Sequence, residues 1–185
     1  MQRTGVRASI MTMLVATGLC SGLAAGCRDD SPTESSPASL LELFGDTLLR
    51  ADGSVEGIEA VEGAALIGIY FGSSQCPACA SFTPMLVDAY GQLEEEGRSF
   101  EVVYVSLDPG EASMLSYMAE AGMSWLAVPW RGSHSSALLN RYDVEWIPTL
   151  VIIDDEGSTV SREGAQEVID HGAAAYDDWL ARAGG

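Results

Sequence analysis

The stretch AALIGIYFG, Ala64–Gly72, carries no charge and does not alternate apolar with polar residues. A strand with one wet face must alternate, so this run needs cover on both faces. It is too short for a core helix and is bounded by glycines, which favours a strand. SFEVVYVSLD, Ser99–Asp108, reads as a second buried strand. Buried strands demand helices above and below, and the segments between them supply these. Ala78–Gly97 sets Phe82, Leu86, Tyr90 and Leu93 at helical spacing and stops at a glycine, with Pro84 expected to kink it. Glu111–Gly122 and Ser133–Tyr142 read as helices, and Trp125–Trp130 as a short extended piece. Thr149–Gly164 reads as a hairpin around Asp-Glu-Gly, and Val168–Gly185 as a closing helix. Upstream, Ser39–Gly45 is a short amphipathic piece, and Thr47–Val55 a strand with an Asp-Gly turn. Strands joined through helices and finished by a hairpin predict one α/β domain over residues 39–185, a mixed central sheet with helices on both faces.

The N-terminus does not belong to that domain. Arg3 and Arg7 precede an uncharged, largely apolar stretch, Ala8–Ala25, that ends in small residues before Cys27. A positive start, a short apolar centre and a small-residue end predict an export signal over residues 1–26. A membrane-spanning anchor is the competing reading, but the stretch is marginal in length and rich in Gly, Ser and Thr. Ala24-Ala25-Gly26-Cys27 resembles the lipobox of bacterial lipoproteins, which implies lipidation at Cys27, although Leu23 stands one position earlier than usual. Residues 27–38, with Pro32 and Pro37 among polar side chains, then read as a flexible tether. The expected location is outside the cytoplasm, lipid-anchored to a bacterial membrane and facing the periplasm or cell exterior.

Loss of residues 1–26 would leave 7 basic against 27 acidic side chains, a net charge of −20, and no lysine occurs anywhere. So acidic a surface repels polyphosphates, which argues against nucleic acid as a partner. Of four cysteines, Cys20 would leave with the signal and Cys27 would carry lipid, so only Cys76 and Cys79 would keep free thiols. An exported protein usually commits cysteines to structural disulfides, and here none is left over for one.

Cys76-Pro77-Ala78-Cys79 lies where a strand passes into a helix. Cys76 takes the N-cap position, and Pro77 fits the first helical position, where its missing N–H costs nothing. First-turn N–H groups and the positive end of the helix dipole then face the Cys76 sulfur and favour a thiolate. Cys79, one turn deeper, is shielded and keeps its proton longer. Cys76 is therefore the expected nucleophile toward a disulfide, and Cys79 the residue that resolves the mixed disulfide. Zinc would need about four ligands, and His134 and His171 lie far from the pair and from each other in the sequence, so no metal is expected. The dithiol is itself the redox centre, and no cofactor is expected either.

Residues 64–164 resemble the thioredoxin superfamily, and within it the tryparedoxin and nucleoredoxin branch. The resemblance rests on IYFGSSQCPACASFTPMLVDAY (Ile69–Tyr90), SFEVVYVSLD, SWLAVPW (Ser124–Trp130) and RYDVEWIPTLVIID (Arg141–Asp154). It implies a thioredoxin-like three-layer sandwich, a cis Pro148, and an Ile147 backbone presented to substrate beside Cys76. It also implies reduction of disulfides in protein substrates, with electrons from an upstream donor that the sequence does not name. Three departures stand out: Gln75 where the family has Trp, Pro-Ala between the cysteines, and Tyr70 where thioredoxins keep a buried Asp. Glu145 is similar to a tryparedoxin Glu and is a candidate proton acceptor for Cys79, while Trp146 is a candidate replacement for the aromatic surface absent at Gln75. Two narrower readings stay open, a thiol module for cytochrome maturation and a metal-binding module of the same fold.

Overall fold

The computed structural model describes residues 38–184. The expected signal, Cys27 and the tether up to residue 37 lie outside the described residues.

Within that range the chain begins with α1, Leu40–Phe44, whose start is fixed by reciprocal side-chain bonds. Glu42 N–H donates to Ser39 Oγ, and Ser39 N–H donates back to the Glu42 carboxylate. β1 (Thr47–Leu49) and β2 (Val55–Gly57) follow as a hairpin turned at Asp52-Gly53, with Gly53 at φ +80° and Asp52 accepting the Ser54 N–H. The predicted strand over 47–55 is thus two short ones, because the Asp-Gly turn reverses the chain. β3 (Leu66–Gly72), α2 (Pro77–Glu95) and β4 (Phe100–Ser106) form the central βαβ unit, with β3 and β4 parallel. α2 runs continuously through Pro84. α3 (Glu111–Glu120), β5 (Leu126–Ala127), α4 (Ser133–Arg141) and the antiparallel pair β6 (Thr149–Asp154) and β7 (Thr159–Ser161) come next.

The C-terminal helix departs from expectation. α5 starts early, at Gly164, and ends at His171; Gly172 adopts φ +55°, and α6 resumes at Ala175–Ala183. A left-handed residue cannot continue an α-helix, so the single predicted segment becomes two.

Seven strands form one mixed sheet in the order β2-β1-β5-β4-β3-β6-β7. Alternate residues feed opposite faces, as the strand period requires. Leu66 and Tyr70 of β3 pack with Phe82, Leu86 and Tyr90 of α2 and with Met114, Val168 and Trp179 from α3, α5 and α6. Ile67, Ile69 and Phe71 pack on the other face with Leu43 and Phe44 of α1 and Leu138 of α4. All seven residues of β3 are buried, as its lack of alternation requires. The result is the expected sandwich of three layers.

Topology gathers the site at one end. β3, β4 and β5 run parallel, and β6 is antiparallel to β3 with Phe71 opposite Thr149. The segments after β3, β4 and β5 and the segment before β6 therefore meet at one pole. At the far pole Leu66 pairs with Asp154. There Gly157 (φ +81°) lies so close to the incoming chain that a β-carbon would run into the Ala38 carbonyl oxygen.

Candidate active site

Cys76 is the N-cap of α2, and Pro77 stands at its first position, as the sequence predicts. The Cys79 N–H donates to Cys76 Sγ at 3.1 Å, aiming a first-turn donor and the positive end of the helix at the sulfur. The Cys76 thiol donates in turn to the Ile147 carbonyl at 3.5 Å. The Ile147–Pro148 peptide bond is cis, in accord with the resemblance. Cys76 is partly exposed, whereas Cys79 is fully buried. Burial, reinforced by the neighbouring Cys76, pushes the Cys79 thiol up to about 12, while the Ser73 backbone and the Tyr70 side chain act in the other direction. One sulfur is accessible and faces a helix end, and the other is sealed and holds its proton. Gln75, Pro77 and Ala78 are exposed around the pair, and Trp146 stands out from the adjoining loop with 71% of its surface exposed.

Glu145 is also exposed and lines a groove with Tyr142, Asp143, Trp146, Arg162 and Glu163. The groups that bear most strongly on Cys79 are others, namely Cys76, Ser73 and Tyr70.

Two arrangements escaped the sequence reading. In the first, Asp108, 2% exposed, accepts on Oδ1 from the Ser73 hydroxyl (3.0 Å), the Ser74 N–H (2.8 Å) and the Ser74 hydroxyl (2.6 Å). Its Oδ2 accepts from the Ser106 hydroxyl (2.7 Å) and the Tyr104 hydroxyl (3.3 Å). Burial pushes this carboxyl up, but the bonds from Ser74, Ser106 and Ser73 outweigh it and hold the group below the usual carboxylate range. Ser73 passes that anchorage on to the site: its hydroxyl accepts the Gln75 N–H and its carbonyl accepts the Cys76 N–H. Trp130 Nε1 donates to the Asp108 carbonyl at 2.8 Å, tying in the segment after β5. In the second arrangement, Tyr70 Oη lies 2.7 Å from Thr83 Oγ1, which lies 2.7 Å from Tyr117 Oη. The sequence does hold a signal for the second, since Thr83 is four residues after Cys79 and shares its helix face.

A mixed sheet with helices on both faces, carrying a dithiol at a helix N-terminus opposite a cis-proline loop, defines a thioredoxin-fold dithiol protein. The chain belongs to the thioredoxin-like family, whose model matches residues 63–159. Nucleoredoxin of Danio rerio is 36% identical over 147 residues, covering 79% of this chain and 34% of that protein. Human nucleoredoxin is 37% identical over 134 residues, covering 72% of this chain and 30% of that one. The chain therefore spans about a third of the length of these relatives. Among solved structures, tryparedoxin from Trypanosoma brucei superposes with a TM-score of 0.66 at 32% identity, over 77% of this chain and 99% of that one. Thioredoxin from Wuchereria bancrofti gives 0.64 at 31%, over 75% and 96%.

Proposed function

We propose that this protein is a lipid-anchored, extracytoplasmic thiol–disulfide oxidoreductase that reduces disulfides in protein substrates. The observation that carries the chemistry is the asymmetry of the pair: an exposed Cys76 sulfur at the start of α2 and a buried Cys79 thiol one turn behind it. Cys76 attacks the substrate disulfide, forming a Cys76–substrate bond and releasing one substrate sulfur. Cys79 then displaces the second, leaving Cys76–Cys79 oxidised until an upstream dithiol donor reduces it. Reduction is favoured over net oxidation by the likeness to the tryparedoxin and nucleoredoxin branch. The exposed edge beside Ile147 and Pro148 suits an extended substrate segment, with Trp146 and Pro77 as flanking surfaces. Export and anchoring are supported by the basic start, apolar stretch and Cys27 of the N-terminus.

A trapping experiment tests the chemistry. With Cys79→Ser expressed in full-length exported form, substrates remain bound through Cys76 and are released by reductant. No adduct at Cys76, together with full activity in Cys76→Ser, would refute the reading. For the address, Cys27→Ser moves the protein from the membrane to the soluble fraction if Cys27 carries the lipid. Unchanged partitioning would refute anchoring there.

A further inference from the structure

Resolution of the mixed disulfide requires the Cys79 thiol to give up a proton in a place water does not reach. Cys79, Tyr70 and Thr83 are each fully buried. Thr83 lies one helix turn beyond Cys79 on the same buried face of α2, and Tyr70 of β3 reaches that face with its hydroxyl on Thr83, near enough to Cys79 to act on its thiol. That hydroxyl is the first of three in line: Tyr70 Oη, Thr83 Oγ1 and Tyr117 Oη, with 2.7 Å between successive oxygens. Tyr117, on α3, is partly exposed, so the line runs from the sealed thiol toward the surface. The phenol has a purpose-made berth. A β-carbon at Gly72, two residues along the same strand face, would stand 2.7 Å from Tyr70 Oη, so only glycine leaves the ring room to reach α2.

We propose that Tyr70, Thr83 and Tyr117 form a hydroxyl relay that carries the Cys79 proton to solvent as Cys79 resolves the mixed disulfide. This rests on the reading of Cys76 and Cys79 given above. The Cys79 S–H bond breaks, its electron pair forms the bond to Cys76 Sγ, and the Cys76–substrate S–S bond breaks with its pair on the departing substrate sulfur. The proton passes to Tyr70 Oη while Tyr70 gives its own to Thr83, Thr83 to Tyr117 and Tyr117 to water. The departing thiolate takes a proton from solvent, so charge and protons balance. A hydroxyl both donates and accepts, and either partner in each pair is free to be the donor, as a relay needs. Both phenols are held above their ordinary values by burial, so they stay neutral and act as conduits rather than as terminal bases. Tyr70 is the member of the line that acts on the reacting thiol; Thr83 and Tyr117 act through it.

The test uses an aromatic disulfide whose released thiolate is coloured, mixed with the reduced protein in stopped flow. The first equivalent released reports attack by Cys76, and the second reports resolution by Cys79. Thr83→Val keeps the shape and cuts the line, and is expected to leave the first phase unchanged and slow the second on the order of a hundredfold, the lower end of what a positioned proton acceptor contributes. Tyr70→Phe acts in the same direction, Thr83→Ser restores the rate, and the solvent deuterium isotope effect on the second phase falls in Thr83→Val. A second phase at the wild-type rate in Thr83→Val would overturn the relay while leaving the dithiol reading intact. So would equal slowing in Thr83→Ser with an unchanged isotope effect, which marks a packing role. Absence of the first phase in the wild type would overturn both.

Discussion

Replacement of Asp108 is the perturbation whose cost the structure defines best. Asp108→Ala removes one acceptor from five donors: Ser73, Ser74 (twice), Ser106 and Tyr104. Hydrogen bonds to a charged group are worth about 1.5–3 kcal/mol each but are not additive, and the carboxylate's own desolvation offsets several kcal/mol. Ser74 is exposed and finds water, whereas the buried Ser73, Ser106 and Tyr104 hydroxyls do not. The net loss expected is about 3–4 kcal/mol, or about 10–15 °C in Tm for a domain of this size. Asp108→Asn keeps Oδ1 for Ser73 and Ser74 and offers an N–H to the Ser106 and Tyr104 oxygens, which rotate to accept, so about 1–2 kcal/mol is expected. Because the Asp108 carboxyl is held below its ordinary value, its ionisation stabilises the fold fully above the unfolded-state value of about 3.9 and ceases to do so as pH falls through the folded value. The gap between wild type and Asp108→Asn should therefore close in acid. Denaturant unfolding at several pH values measures all three. A loss below about 1 kcal/mol for Asp108→Ala at neutral pH, or Ala no worse than Asn, would refute the view of this carboxylate as the anchor of the Ser73–Cys76 segment.

Alkylation should separate the two thiols: Cys76 reacts first, and in Cys76→Ser the Cys79 rate should still be climbing with pH well above the range of an ordinary thiol, as mass-spectrometric labelling would show. Glu101, which accepts from the Tyr90 hydroxyl at 3.1 Å, has its carboxyl pushed up by burial, with Glu94 adding to it. Its raised folded value means that charging it costs stability as pH rises through the carboxylate range, so Glu101→Gln should raise Tm near neutral pH and change it little in acid. Trp146→Ala should leave Tm nearly unchanged, within about 0.5 kcal/mol, because the indole is exposed. It should slow reduction of a protein disulfide but not of a small aromatic one; equal rates on both would remove Trp146 from substrate contact.

What could be read from the sequence was whatever local patterning determines. The unalternating run at 64–72 required a doubly covered strand, and Cys76 before Pro77 required a helix start; both stand as expected. The Asp52-Gly53 turn was legible, but β2 after it was not, since Val55–Gly57 is too short to show a period. The division of the last helix turns on Gly172 alone, within an alanine-rich stretch that otherwise favours helix. Asp108 was hidden for a different reason. Its partners Ser73 and Ser74 lie 34 or more residues away, and only the parallel pairing of β3 with β4 brings them to one pole. Tyr70 stands out in the sequence as a substitution, but its link to Thr83 and Tyr117 depends on which sheet face α2 and α3 cover.

The contact of Ala38 with the Gly157 turn has a practical consequence for how the molecule meets large partners. The six residues of β6 run about 17 Å from Thr149 toward that turn, so Ala38 lies at the base while the partly exposed Cys76 sulfur lies at the opposite pole. A bead, a fused protein or a lipid layer attached on that side would not shade the reactive edge, and even bulky folded clients could approach it unhindered. Attachment through an engineered residue near Gln75 should do the opposite, silencing turnover of large clients while sparing small disulfides.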